Sequence, residues 1–457
     1  MTQDTIQSAT ELLDQLRHKR VSSRELTEAA IARIERLDGK LNAVVVRDFD
    51  RARNAAATAD VARSRGEDAL LLGLPITVKE SNDVEGLKTT WGFPAFKDYV
   101  PGNDGAAIAR LRRAGAVILG KTNVPVFLAD WQSANPIYGR TNNPWDVTKT
   151  PGGSTGGGAA AVASGMAALE LGSDLAGSIR VPASFCGIYG LKPSYGIVPL
   201  AGMKPPFVPD GAGIPVTALG PLARTPDDIE LALSVLAAPD GMECSGYRLE
   251  LPLPRHEALD QFRVLMLDAH PAAECDAELK DALLGIADSL ERQRVKISHT
   301  SALLPDLMET LECFGRIIRT ATSRGAPAQD PVLSAHDWMD TLDLQHRIRL
   351  QWKTLFEAFD VVLAPAFGVA AFDHVDGEGE RKLIINGKST DYSAQGAWSS
   401  MAGLGNLPAL AAPIGLTKNG LPIGMQIIGP YLEDRTPTHF GRLLEREFGG
   451  FRPPPGY

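Results

Sequence analysis

Between positions 151 and 194 the chain reads PGGSTGGGAAAVASGMAALELGSDLAGSIRVPASFCGIYGLKPS, a run dominated by glycine, alanine and serine. Side chains this small let backbone approach backbone, or backbone approach a ligand. The 457 residues hold 45 glycines, about a tenth of the chain against a usual ~7%. This block is where they concentrate, and it interrupts the rhythm of everything before it.

That rhythm is one of strands alternating with helices. Leu12, Leu13 and Leu16 mark a helix over 9–20, and a second helix starts at Ser22, with Glu25 three residues on as a capping box. Its apolar face is Leu26, Ala30, Ile34 and Leu37. Strand-like segments at 44–46, 74–79 and 116–119 alternate with helical ones at 50–64 and 106–114. Further on, helices are expected at 227–237, 277–292 and 341–359, and strands at 262–268, 361–366 and within 406–429. Asn386-Gly387, between two short β-prone runs, signals a hairpin. Together these predict an α/β fold with a largely parallel sheet.

Charge and cysteine usage exclude several classes. With 46 basic against 55 acidic residues the net charge is −9, which argues against a protein that coats nucleic acid. Cys186, Cys244, Cys275 and Cys313 lie 58, 31 and 38 positions apart, so there is no CxxC pair. They read as four buried thiols in a reducing compartment. The N-terminal MTQDTIQSATELLDQLRHKR lacks the apolar core of a signal peptide, and no run of ~18 apolar residues suggests a membrane span. A cytoplasmic protein is expected.

Two short motifs tempt and fail. GAVILGKT (115–122) satisfies the P-loop expression, but its four middle residues are themselves an apolar strand, and Pro125 spoils the helix that should follow. GGSTG (152–156) satisfies the nucleophile-elbow expression, but NNPWDVTKTP before it is no hydrophobic strand. His256, His270, His299, His336, His346, His374 and His439 show no metal-ligand spacing. No metal and no cofactor is expected.

The blocks GGSTGGG (152–158), GSDLAGSIR (172–180) and FCGIYGLKP (185–193) resemble the signature of the amidase signature family. GLPITVKESNDVEG (73–86), GKTNVP (120–125), YGRTNNPWD (138–146), MAGLGNLPALAAPIG (401–415) and GLPIGMQIIG (420–429) extend that resemblance along almost the whole chain. It implies a single α/β domain over 1–457, a mixed, mostly parallel sheet of many strands covered by helices: N-terminal helices to 65, a signature core at 66–240, a variable substrate-pocket region at about 295–400 and a core return at 401–457. It also implies a Ser–cis-Ser–Lys triad. Carried over, Lys79 is the base, Ser154 the middle serine after a cis bond from Gly153, and Ser178 the nucleophile, at separations of 75 and 24 positions. The backbone amides of Leu175, Ala176, Gly177 and Ser178 would form the oxyanion hole. Thr155 keeps a hydroxyl, Asp174 and Arg180 would brace the nucleophile turn, and Leu128, Trp131 and Trp398 would line the substrate pocket.

The residue chemistry supports these roles. A serine hydroxyl needs a base within hydrogen-bond reach. Lys79 ends the apolar run LPITV, where burial disfavours the ammonium. Ser154 can donate and accept, so it can relay a proton. Taken singly, Lys79 would be a solvated strand-end lysine, the serines loop caps, and Asp174–Arg180 a surface ion pair. Taken together inside three matching blocks, the catalytic reading prevails.

Three positions depart from the family pattern: Ala176 for a glycine, Glu80 for an aspartate and Val126 for a glutamate. The expected activity is hydrolysis of a small amide, with an aryl or apolar acyl group, through an acyl-enzyme on Ser178. Carbamate (urethane) or ester hydrolysis at the same site is the alternative. The A subunit of the tRNA-dependent glutamine amidotransferase and a catalytically dead binding module are further rivals. The first is disfavoured by PLAGMKPPFVPDGAGIPVTALGPLART after the LKP block, the second by the intact triad. No nucleic acid or membrane partner is expected, and the chain should be a monomer or homodimer.

Overall fold

A computed structural model describes residues 6–209, 211, 213–324, 332–375 and 381–457. The strands are β1 (Val44–Arg47), β2 (Pro75–Lys79), β3 (Val117–Thr122), β4 (Ala134–Asn135), β5 (Gly139–Arg140), β6 (Leu169–Asp174), β7 (Tyr189–Lys192) and β8 (Ala218–Ala223). They continue as β9 (Arg263–Met266), β10 (Lys296–Ser298), β11 (Val361–Pro365), β12 (Lys382–Ile385), β13 (Lys388–Asp391), β14 (Ala409–Leu416) and β15 (Pro422–Ile428). The helices are α1 (Ala9–Arg17), α2 (Ser23–Leu41), α3 (Phe49–Ser64), α4 (Ala106–Arg113), α5 (Gly156–Ala163) and α6 (Arg180–Cys186). After them come α7 (Pro226–Leu236), α8 (Ala277–Arg292), α9 (Leu307–Thr322), α10 (Ala335–Ala358), α11 (Gly396–Leu404) and α12 (Arg435–Phe448).

Eleven strands form one mixed sheet in the order β1-β3-β2-β6-β8-β7-β14-β15-β11-β9-β10. The fold is α/β, as the alternation of patterns predicts. The balance within the sheet differs from expectation. Parallel pairing joins β3 to β2 and β2 to β6 in one wing, and β11 to β9 and β9 to β10 in the other. Between the wings, from β6 through β8, β7, β14 and β15 to β11, every pair is antiparallel, as is the edge pair β1–β3. The helix-crossover rhythm read from the N-terminal third therefore describes the two wings and not the centre of the sheet.

Local sequence explains the helix ends. Ser8 with Glu11 and Ser22 with Glu25 form capping boxes at α1 and α2, and Thr225 caps α7 just before Pro226. Asn386 and Gly387 both take positive φ, 51° and 76°, and turn β12 into β13. The glycine-rich block becomes α5, β6, α6 and β7. All eight residues of α5 are buried, so this helix has no solvent face. It packs on β2, β3, β6 and β8 from one side and touches α6. Large side chains lie elsewhere, in an apolar core that includes Phe262 and Phe440 and a second around Trp352, Phe314 and Trp398.

Of the four cysteines, all free, Cys186 and Cys313 are buried as expected, but Cys275 is half-buried and Cys244 is exposed in a short turn.

Candidate active site

Lys79 is the last residue of β2, and every residue of that strand is buried. Its Nζ donates to Ser154 Oγ at 2.7 Å, to Ser173 Oγ at 2.9 Å and to the Ser173 carbonyl at 3.3 Å. Three acceptors match the three protons of an ammonium. Burial lowers the lysine to about 7, against the opposing pull of Asp174 and Glu170. Burial therefore favours the neutral amine, whose lone pair would face a serine hydroxyl.

Ser154 follows the Gly153–Ser154 peptide, which is cis, in the loop that enters α5. Ser133 Oγ braces that loop, donating to the Gly152 carbonyl at 3.1 Å and accepting from the Gly156 amide at 3.0 Å. Thr155 stitches the loop to the nucleophile turn. Its N–H donates to the Ser178 carbonyl at 3.1 Å and its Oγ1 to the Ser173 carbonyl at 3.3 Å. Lys79 and Ser154 are 0% exposed, whereas Ser178 is 8% exposed. The three residues thus run from a dry amine to a hydroxyl that touches solvent. Among the described residues the Ser178 hydroxyl makes no hydrogen bond.

Ser178 sits in the turn between β6 and α6. Gly177 holds φ at 93°, a region costly for any other residue, whereas Ala176 needs no positive φ, so the alanine that departs from the family pattern fits without strain. Asp174 organises the turn. Its carboxylate accepts the amides of Gly177 (2.8 Å), Ile179 (3.1 Å) and Arg180 (3.3 Å), and it pairs bidentately with the Arg180 guanidinium at 2.9 and 3.0 Å. Both side chains are buried, so this is no surface pair. Burial would raise Asp174, but Arg180 and the Gly177 amide hold it well below the usual carboxylate range. Arg180 also donates to Gln426 Oε1 at 2.8 Å, tying the turn to β15.

The Gly177 amide, expected in the oxyanion hole, is taken by Asp174. The Leu175, Ala176 and Ser178 amides make no hydrogen bond among the described residues.

The pocket residues divide. Trp131 is half-buried and its Nε1 donates to the Ala176 carbonyl at 2.8 Å, beside the nucleophile. Leu128 is half-buried with φ at 61°. Trp398 does not line an open pocket. It is wholly buried, edge-on to His270 at 5.7 Å, in the core against which Leu175 and Ala176 pack. It supports the turn that carries Ser178 from behind. Glu80 faces away from the site and accepts the amides of Thr90 and Trp91, fixing the loop after β2.

Sequence reasoning missed Ser173, which supplies two of the three acceptors around Lys79, and Gln426. Both carried a signal. Ser173 stands inside the GSD block, and Gln426 is the lone polar side chain of a buried apolar strand. A cavity of about 480 Å³ near His270, Lys280 and Ala394 includes none of the triad. Among the described residues, no group of three or more His, Cys, Asp or Glu could hold a metal ion, and no helix is long and apolar enough to cross a membrane.

A family model described as Amidase matches residues 25–324 and 310–436. The chain belongs to the amidase signature family. As a member it is a hydrolase acting on C–N bonds. Curated relatives of this amidase include the glutamyl-tRNA(Gln) amidotransferase subunits A of Moorella thermoacetica, 31% identical over 93% of each chain, and of Alkaliphilus metalliredigens, 29% identical over 96% of this chain and 95% of the relative. Among solved structures, a bacterial aryl acylamidase of the amidase signature family superposes with a TM-score of 0.82 at 26% identity, covering 97% of this chain and 96% of that one. A chain from a vestigial protein complex linked to the origins of an s-triazine catabolic enzyme superposes with a TM-score of 0.83 at 29% identity, covering 98% and 100%.

Proposed function

We propose that this amidase hydrolyses a small carboxylic amide through an acyl-enzyme on Ser178. The contact that carries the reading is Lys79 Nζ to Ser154 Oγ at 2.7 Å, inside a site closed to water at the lysine and open at Ser178. Neutral Lys79 takes the Ser154 proton as Ser154 takes that of Ser178, whose Oγ attacks the carbonyl. The Leu175, Ala176 and Ser178 amides stabilise the resulting oxyanion, each donor worth ~10²–10³ in rate. The proton returns through Ser154 to the leaving amine, and water, activated by the same relay, frees the acid. Trp131 and Leu128 favour an aryl or apolar acyl group.

The same site would serve a carbamate or ester, since the acyl-enzyme chemistry is shared. One preparation assayed against anilides, primary amides, esters and carbamates separates these readings. Ser178→Ala should abolish turnover and fluorophosphonate labelling while leaving the melting temperature within about 2 °C, because a loop hydroxyl contributes little packing. Labelling that persists at another serine would move the nucleophile. The relatives' names favour testing a second role. Copurification with a partner subunit, and glutamine-dependent ammonia release only in its presence, would replace the free-standing amidase with an amidotransferase subunit.

A further inference from the structure

One buried acid next to the relay has no part in the mechanism above. Glu170 is the second residue of β6 and is 1% exposed. The register places it opposite Thr77 on β2, while Lys79, two residues further along β2, lies opposite Thr122 on β3. Strand alternation puts Thr77, Lys79, Glu170 and Thr122 on one face of the sheet. α5 covers that face. A Cβ on Gly158 would stand 2.4 Å from Glu170 Cγ, so the acid's side chain runs under the first turn of the helix. Thr122 Oγ1 donates to Glu170 Oε1 at 2.6 Å. Because β2 lies between β3 and β6, this bond crosses β2 in the interval bounded by Thr77 and Lys79. Glu170 Oε2 is buried and has no partner at ordinary hydrogen-bond geometry among the described residues, although the Thr77 hydroxyl, likewise without such a partner, is near enough to favour the ionised acid. A native fold leaves few buried polar atoms unsatisfied, and each one calls for a reason.

We propose that Glu170 is a positioning residue of the catalytic base: its buried carboxyl, held across β2 by Thr122, sets how readily Lys79 gives up its proton. The proposal rests on Lys79 being the base. The charged groups around the lysine are few. Asp174, on the same strand as Glu170, also favours the ammonium, but its charge is paired with the buried Arg180. Ser154 and Ser173 do not titrate in the working range. α5, reading GGGAAAVA, brings no ionisable side chain, and neither does β8, reading ALGPLA. Glu80 and Lys121 lie on the other side of the sheet by alternation, with Lys121 donating to the Lys88 carbonyl and Thr89 Oγ1. Glu170 is therefore the one acid on the covered face, among the described residues, whose charge no cation neutralises except Lys79 itself. Burial pushes its carboxyl up to about 7, so acid and amine exchange protons over the same pH range and titrate as a pair. Ionised Glu170 holds the proton on Lys79; protonated Glu170 releases it.

The test is the pH dependence of anilide hydrolysis and of fluorophosphonate labelling at Ser178, in the parent and in Glu170→Gln. The amide keeps the shape and can still accept from Thr122, but it cannot ionise. Removing the charge should move the midpoint of the acid limb of both profiles down by up to about one pH unit, with the largest gain in rate near neutrality, where the parent holds ionised Glu170 beside protonated Lys79; the two profiles converge well below pH 7, where the parent's Glu170 is already protonated, and KM is unchanged. A purely structural Glu170 would lower the rate at all pH values and leave the limb in place, which would overturn the proposal. Should Glu170→Gln not fold, Thr122→Val serves instead. Losing the hydroxyl makes Glu170 easier to protonate, and the limb should move the same way by a smaller amount; an unmoved limb overturns the proposal here too. A parent whose labelling does not depend on Lys79 would overturn the base reading itself, a different result from an unmoved limb in an enzyme that does depend on it.

Discussion

As an ammonium Lys79 fills three acceptors; as an amine it must accept one hydrogen bond, and Ser154 Oγ is the group at 2.7 Å that can turn its proton inward. This single exchange would start the proposed relay. Replacing Lys79 by Arg leaves a cation that stays charged at any working pH. Lys79→Arg should lower amide turnover by about 10²–10⁴-fold, the usual contribution of a positioned base, and ester turnover by less, because an alkoxide leaves with less need of protonation. Steady-state rates on a matched amide and ester check this, and near-parent amide activity would reduce the lysine to electrostatic support. Asp174 works differently, by geometry. Asp174→Asn leaves Arg180 buried without its partner, at a cost of about 3–5 kcal/mol, readable in urea unfolding. The burial of Lys79 was legible because the charge ends an apolar run. The Asp174 carboxylate withdrawing the Gly177 amide was not, since nothing in GSDLAGSIR says which amides point inward and which back at the aspartate.

At the scale of elements, α5 inverts the usual rules. Exposed helices are stabilised by about 1 kcal/mol when an interior glycine becomes alanine. α5 begins Gly156-Gly157-Gly158, and the missing side chains are what let it lie on the sheet. At Gly158 the added methyl would meet the Glu170 side chain at 2.4–2.5 Å. Gly158→Ala should therefore lower the melting temperature despite its better helix propensity, and should disturb the rate through Glu170. Calorimetry beside a pH–rate profile separates the two effects. An alanine variant as stable as the parent would mean that the helix can lift off its strand. The small-residue block announced close approach in the sequence, and the structure obeys it. The capping boxes, the Asn386-Gly387 hairpin and the helix over 277–292 were legible for the same reason: each is decided by residues within a turn of one another. Sheet order was not. β14 pairs with β7 and β15 across more than two hundred and about a dozen positions respectively, and no local pattern distinguishes those partners from others. The antiparallel centre of the sheet escaped prediction on that account.

The whole molecule buries more charge than its ordinary composition suggests, and its stability should depend on pH in consequence. Lys79, Lys121 and Lys192 are all 0% exposed, and burial lowers them to about 7, 8 and 7 from 10.5. Below those values both folded and unfolded chains hold the protons. Between them and 10.5 the unfolded chain binds more protons than the folded one, so stability rises with pH across that window. Glu170, Asp434 and Glu445 behave oppositely. Burial raises them to about 7, 6 and 7, so between about 4 and 7 the folded chain binds more protons and stability falls as pH rises. The two trends meet near neutrality, where the urea midpoint should pass through a shallow minimum. Self-repulsion does not mask the rising limb, because few exposed groups titrate between pH 7 and 9 and the net charge hardly changes there. The midpoint at pH 9 should exceed that at pH 7. In Lys79→Met the midpoint should be higher at pH 7 and the rise toward pH 9 smaller, because one of the three lysines no longer contributes. A parent midpoint that falls steadily from pH 7 to 9 would mean that these lysines keep their protons in the folded chain, and the neutral base would go with them.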